Sequence, residues 1–171
     1  QPYLKTIGRS FRERNVPVIV GIYLPMVESE YRSCFESALG ARGLFQFLPG
    51  TAVQYGVSKD DMCDAEKMTP AAAHYIADRM AELGDDAESL TLVLVSFTTG
   101  PEWVRSTLRR LRESGNYERN FWTMFEKRDE LGNVFQKNTV DYVPTFFAAA
   151  IIGENPRSFG LAIQPLTSLA E

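Results

Sequence analysis

Apolar positions recur along this chain at intervals of three and four residues, and strand-like alternation is scarce, so the pattern predicts helices. A first helix fits Tyr3 to Arg14. A second starts near Asn15, with Pro17 in its first turn, where proline is tolerated, and runs through "VIVGIYLPMVES". Pro25 is expected to kink it or loosen one turn. "PGTAVQYG" fits a short helix closed by Gly56. The next is expected to begin with Thr69 as N-cap and Pro70 at the first helical position, and to end at Gly84. "DAESLTLVLVSFTTG" then predicts an apolar helix ending at Gly100, "PEWVRSTLRRLRESG" an amphipathic one and "VDYVPTFFAAAIIG" another. One long loop, Ser33 to Leu44, interrupts the series, and the tail after Ile152, with Pro156 and Pro165, is expected to be irregular. The fold class that follows is a compact all-α domain without repeats or low-complexity linkers.

At 171 residues, a single domain (1–171) is expected. A chain of this length buries roughly 70% of its unfolded surface and needs no staple to fold. The net charge of -4 argues against a non-specific nucleic-acid binder. "VRSTLRRLRESG" is locally basic, with Arg105, Arg109, Arg110 and Arg112. A solvated helix face is the ordinary reading of such a run, and a weak hold on an anionic polymer is the alternative. The longest uncharged apolar stretch, Val16 to Val27, has twelve residues, against about 20 needed to cross a bilayer, so no transmembrane segment is expected. The chain starts with Gln1 rather than Met, as a fragment or a processed form would, with any signal or anchor outside it.

Candidate chemistry narrows quickly. There is one histidine, His74, and it lies inside a helical pattern, where a packed or surface role is the ordinary one; nucleophilic triads would all have to run through it. Cys34, Cys63 and His74 lack a fourth ligand and a tight spacing for zinc, so no metal or other cofactor is expected. The two cysteines fit one disulfide or two separate buried thiols. Carboxylates remain. A glutamate acts as a general acid at neutral pH when its pKa is raised, by burial or by the unpaired carbonyls of a helix C-terminus. Glu28 follows the long uncharged run, sits near the helix end and shares a face with Leu24 and Gly21; Glu30 and Glu36 lack such a run and are expected to be solvated. The alternative for Glu28 is a helix-end carboxylate with its head in water. Downstream, Gly40 and Gly43 allow sharp turns or close approach, and Gln46 lies between Phe45 and Phe47, an arrangement that suits a sugar site or, alternatively, a loop glutamine over an apolar edge.

Glu28-Ser29, then Ser37, then Gly40-Ala41-x-Gly43-Leu44-x-Gln46, then Pro49-x-Thr51-Ala52 resembles the catalytic domain of the soluble and membrane-bound lytic transglycosylases, related to goose-type lysozymes. The "LPMVES" opening is most similar to the D subgroup of the membrane-bound enzymes, and the resemblance spans about Val16 to Gly153, through "DYVP" at Asp141 to Pro144. It implies a lysozyme-like helical fold with a cleft for peptidoglycan glycan strands. It also implies cleavage of the β-1,4 bond between N-acetylmuramic acid and N-acetylglucosamine, with Glu28 as general acid and then base. The acetamide of the sugar would take the second carboxylate's place, one of the exceptions to the two-carboxylate scheme. Ser37, Gln46 and Tyr142 match positions lining the sugar sites, and Ser29 matches one that helps place the glutamate. A wall substrate implies a periplasmic or secreted protein, expected as a monomer, and favours a Cys34–Cys63 disulfide that pins the loop.

The resemblance breaks at Ser96-Phe97-Thr98-Thr99-Gly100, where the family usually carries Ala-Tyr-Asn-x-Gly, and at Asn138, where it tends to carry glutamate; Thr139 fits. Phe97 and Thr98 therefore stand at substrate positions with the phenol and the amide gone. An ordinary transglycosylase, an inactive peptidoglycan-binding module and a retuned enzyme are all compatible with this. Retention of Glu28, Ser37 and Gln46 favours activity. The expectation is altered glycan specificity, for modified or de-N-acetylated peptidoglycan, with lysozyme-like hydrolysis by water.

Overall fold

The computed structural model describes residues 2–171, apart from the side chain of Asn138. These residues fall into two packed units, one built from the chain up to Ala77 together with Phe146–Glu171, the other from Asp78–Thr145. Helices dominate both, as the periodicity predicts; among the described residues the β-type pairing consists of the isolated bridges Glu36–Arg42 and Arg42–Phe47, inside the long loop.

In the first unit, α1 (Leu4–Glu13) buries Leu4, Ile7, Gly8 and Phe11, a spacing that places them on one face. That face packs on α2 (Val18–Ser29) at very short range. A Cβ on Gly21 would lie 2.7 Å from Ile7 and 2.8 Å from the Phe11 ring, so only glycine lets the two backbones approach this closely. Pro17 caps α2 from outside, one position before its first residue, and Pro25 lies within it without ending it. After the short α3 (Pro49–Gln54), α4 (Ala65–Leu83) begins four residues before the expected Thr69. Asp64 is the cap, its Oδ1 accepting the Glu66 and Lys67 amides at 2.9 and 3.3 Å. Thr69 sits inside the helix and donates to the Ala65 carbonyl at 2.7 Å, and Pro70 lies within the helix, where it has no N–H to give the Glu66 carbonyl.

The tail is more regular than expected, with 3₁₀ turns at Pro156–Phe159 and Leu166–Ala170 that bury Pro156, Leu166 and Ala170. It is tied down through one carboxylate. Glu154, in the last turn of α9 (Tyr142–Glu154), accepts from the buried Tyr23 hydroxyl at 2.6 Å, from the Thr167 amide at 3.2 Å and from the Thr167 hydroxyl. Burial, reinforced by this carboxylate, pushes the Tyr23 phenol well above its ordinary value. His74 packs edge-on against Tyr55, with ring centroids 5.2 Å apart, within a cluster that includes Phe47 and Tyr75.

In the second unit, α5 (Ala87–Thr99) is capped by Asp86, whose side chain accepts the Glu88 and Ser89 amides, and buries Leu92, Val93, Leu94 and Val95. α6 (Pro101–Glu113) starts with proline at its first position. Two short helices that periodicity did not predict follow, α7 (Phe121–Glu126), capped by Asn120, and α8 (Asn133–Asn138). Aromatic stacking holds them: Phe135 lies 5.7 Å from Trp103 and 6.1 Å from Phe121. No helix among the described residues is long and apolar enough to cross a membrane.

Candidate active site

The uncharged run that ends at Val27 makes α2 a buried helix, and Glu28 is carried half-buried on its last turn. Glu30 and Glu36 are exposed, 3.7 Å from Arg32 and 4.0 Å from Arg42, respectively. The chain leaves α2 through two left-handed residues, Glu30 (φ 51°) and Tyr31 (φ 61°), and Gln46 (φ 50°) repeats this conformation in the loop. Non-glycine residues hold it at a cost and are often found where a site dictates the backbone. Tyr31 secures the turn twice: its amide donates to the Pro25 carbonyl at 3.1 Å, and its hydroxyl to the Ile22 carbonyl at 2.7 Å. Burial pushes the Tyr31 phenol upward.

Ser29 is buried, and its hydroxyl reaches the carbonyls of Pro25 (3.1 Å) and Leu44 (2.8 Å). Its hydrogen serves the backbone, joining the last turn of α2 to the loop. Gln46 behaves similarly. Its Nε2 donates to Phe35 and Gly43 carbonyls, both at 2.8 Å, so the side-chain oxygen is what it offers a ligand. Ser37 forms the loop's tight turn: its amide donates to the Ala41 carbonyl at 2.8 Å and its Oγ accepts the Ala41 amide at 3.1 Å, leaving the hydroxyl hydrogen to donate.

The loop is fastened to the segment before α4 at two points. Cys34 and Cys63 form a disulfide with Cα atoms 4.5 Å apart. Gly43 (φ 87°) presses on the same segment, where a Cβ would fall 2.0 Å from the Met62 carbonyl oxygen. Glu28, Ser29, Ser37 and Gln46 are thus brought together within the first unit by backbone-directed hydrogen bonds and a covalent clamp.

Phe97, Thr98 and Tyr142 belong to other elements. Phe97 and Thr98 lie half-buried on the last turn of α5, and Tyr142 opens α9. Thr98 donates its hydrogen to the Val95 carbonyl at 2.9 Å. Its oxygen also lies 2.9 Å from the Oγ1 of Thr139, a fully buried residue. Either hydroxyl can donate in this pair; when the Thr98 hydrogen is directed at Val95, Thr139 is the donor and Thr98 presents acceptor capacity alone. The Thr139 carbonyl in turn accepts the Tyr142 amide at 3.1 Å, so Thr139 links two of the residues singled out in the sequence. This pairing is the feature that sequence reasoning missed; the only signal was that Thr139 kept the family pattern beside Asn138. The departure at Asn138 lies outside the described side chains.

Among the described residues, no group of three His, Cys, Asp or Glu side chains is placed to hold a metal ion. The chemistry on offer is a carboxyl group at a helix end beside a clamped loop.

Comparison with known proteins agrees with this picture. The family model described as Transglycosylase SLT domain matches residues 7–120. The membrane-bound lytic murein transglycosylase D of Escherichia coli K12 is 24% identical over 165 residues, covering 95% of this chain and 34% of that protein. The protein of the same name from Escherichia coli O6:H1 matches with the same figures. The chain thus spans about a third of the length of these relatives. The solved structure of an inactive mutant of the lytic transglycosylase Slt from Pseudomonas aeruginosa superposes with a TM-score of 0.66 at 21% identity, covering 94% of this chain and 25% of that one. The all-α, lysozyme-like fold expected from the sequence is the fold observed.

Proposed function

Since the chain belongs to the transglycosylase SLT domain family, we propose that it cleaves peptidoglycan glycan strands at the β-1,4 bond between the muramic acid and glucosamine units, with Glu28 as general acid and base. Glu28 protonates the glycosidic oxygen, which departs as a hydroxyl; water supplies the oxygen that bonds to the anomeric carbon, and its proton returns to the carboxylate. Ser29 and the Cys34–Cys63 clamp act as positioning elements. Ser37 donates to the sugar, and Gln46 accepts from it. The protein works in the cell envelope, periplasmic or secreted, as a monomer, consistent with a disulfide on its working loop.

The preferred strand is one in which an acetamide has been replaced by an amine. The observation that carries this is the hydrogen-bond polarity of Thr98. A family asparagine offers both a donor and an acceptor, matching an acetamide, which has a carbonyl to satisfy. With its hydrogen directed at Val95 and its oxygen supported by Thr139, Thr98 can only accept. An ammonium group has hydrogens to give and no lone pair to satisfy, so it complements such a site, whereas an acetamide carbonyl would find no donor on Thr98. Removing the acetamide also removes substrate assistance, which makes water the natural nucleophile.

A second reading has one point in its favour, family membership itself: acetylated strands would be cut with attack by the muramoyl 6-hydroxyl, giving 1,6-anhydro ends. Digestion of acetylated and chemically de-N-acetylated sacculi, followed by mass analysis of the ends, separates the two. Faster release from the de-N-acetylated wall with reducing ends is expected. Equal rates would remove the specificity claim, and anhydro ends would remove hydrolysis. Binding to sacculi without any release would leave an inactive peptidoglycan-binding module.

A further inference from the structure

The basic run of α6 is solvent-exposed, and one side of it lines a groove. Arg105, Arg109 and Arg112 are spaced four and three residues apart, on one side of the helix. They line a groove of about 620 Å³ together with the end of α4 and the loop after Gly115, which contributes Tyr117, Glu118 and Arg119. All of these residues lie within Asp78–Thr145.

The charges in the groove are unbalanced. Glu82 is already held by Arg79 at 3.0 Å and by Arg105 at 2.6 Å, and Arg105 also pairs with Glu102 at 2.6 Å. Arg109, Arg112 and Arg119 have no ion pair within 4.0 Å among the described residues. The lining thus carries four guanidinium groups, Arg105, Arg109, Arg112 and Arg119, against two carboxylates, Glu82 and Glu118, in a chain whose net charge is -4, and Glu102 outside the lining attracts Arg109 as well as Arg105. The rest of the lining is Leu83 and Leu108, which form part of the wall, with Asn116 and Tyr117, the last 73% exposed.

We infer that this groove binds the short acidic peptide stems carried by the glycan strand, the arginines engaging their carboxylates. Guanidinium forks match carboxylate geometry and discriminate by it. A wall stem also brings the amine of its diamino acid, which suits Glu118, and alanine methyls, which suit Leu83 and Leu108. A bare polyphosphate would meet Glu118 unfavourably and leave the leucines unused. This inference rests on the peptidoglycan reading above and assigns the groove a role in holding substrate, apart from bond cleavage.

The test is a titration of isotope-labelled protein with isolated stem tetrapeptide, followed by NMR, for the parent and an Arg109→Gln/Arg112→Gln/Arg119→Gln variant. Shifts confined to the groove and a Kd at least about tenfold weaker in the variant are expected. In parallel, the variant's KM should rise on peptide-bearing glycan and stay unchanged on glycan stripped of peptide by an amidase, with kcat unaffected on both. Should the triple variant fold poorly, Arg119→Gln alone, outside α6, should weaken binding in the same direction. Tetrapeptide binding unaffected by the substitutions, shifts elsewhere on the protein, or saturation by inorganic polyphosphate without any response to tetrapeptide would overturn the assignment. Because the titration needs no bond cleavage, a parent that binds the tetrapeptide and cuts nothing sinks the glycosidase reading alone. A parent that cuts sacculi and ignores the peptide sinks this one alone.

Discussion

The loop beside Glu28 and the end of α5 solve different problems with the same few polar groups. Around Glu28, side-chain hydrogens are spent on backbone carbonyls: Ser29 on Leu44, Gln46 on Phe35 and Gly43, Tyr31 on Ile22. A disulfide and a glycine contact add to the restraint. At the end of α5, Phe97 carries no hydroxyl, and the Thr98 hydroxyl lies between the Thr139 hydroxyl and the Val95 carbonyl, 2.9 Å from each. In the proposed function the first region holds the catalytic group in position, and the second contributes to recognition of the sugar. A sequence that keeps one and alters the other is what a change of sugar preference with retained chemistry would require.

The comparison makes ranked predictions. Glu28→Gln should lower the rate on every glycan substrate by roughly 10²–10⁴-fold while leaving the thermal transition nearly unchanged, since it removes the proton donor and little packing. A variant as active as the parent would remove the enzyme reading. Gly43→Ala strikes the loop's restraint. It places a Cβ against the Met62 carbonyl at a φ that alanine disfavours, and should cost about 3 kcal/mol of stability by denaturant unfolding. Replacing Cys34 and Cys63 by alanine should cost about 3 kcal/mol by the loop-closure argument, and should slow all substrates alike. Thr139→Val acts on the other region. It withdraws the donor that supports Thr98 and should change the preference between acetylated and de-N-acetylated glycan by about three- to tenfold, with the rate on the better substrate reduced less than by Glu28→Gln.

The smallest effect is one of pH and lies outside both regions. The Ser89 hydroxyl and amide, with the Glu88 amide, hold the Asp86 carboxyl below the usual aspartate range. A carboxyl depressed in the folded state stabilises fully above its unfolded value of about 3.9, and that stabilisation is lost as pH falls through the lower folded value. The melting-temperature gap between parent and Asp86→Asn should therefore be open at pH 7 and close towards pH 3.

Much of this was legible in the sequence, and the exceptions have physical causes. α1 and α2 declare themselves by spacing and by an uncharged run, and the Glu28-to-Gln46 arrangement by its fixed intervals. The start of α4 was misplaced because Thr69-Pro70 imitates a helix start, while Asp64, the stronger cap, lies just upstream. α7 and α8 are six residues each and owe their stability to stacking among Trp103, Phe121 and Phe135, which no local window contains. The Thr98–Thr139 pair joins residues 41 apart, and its meaning lies in which oxygen donates, a property of the folded network alone. Ser29 was identified as important without its hydrogen-bond partners, and those partners make it a brace for the loop.

The most direct measurement is the ratio of kcat/KM on de-N-acetylated to that on acetylated glycan strands, for the parent and for Thr98→Asn. An asparagine at this position restores an amide that can donate to an acetamide. A parent ratio above one that falls at least about tenfold in Thr98→Asn, with Glu28→Gln inactive on both strands, is the result predicted here. A ratio that the substitution leaves unchanged would contradict it.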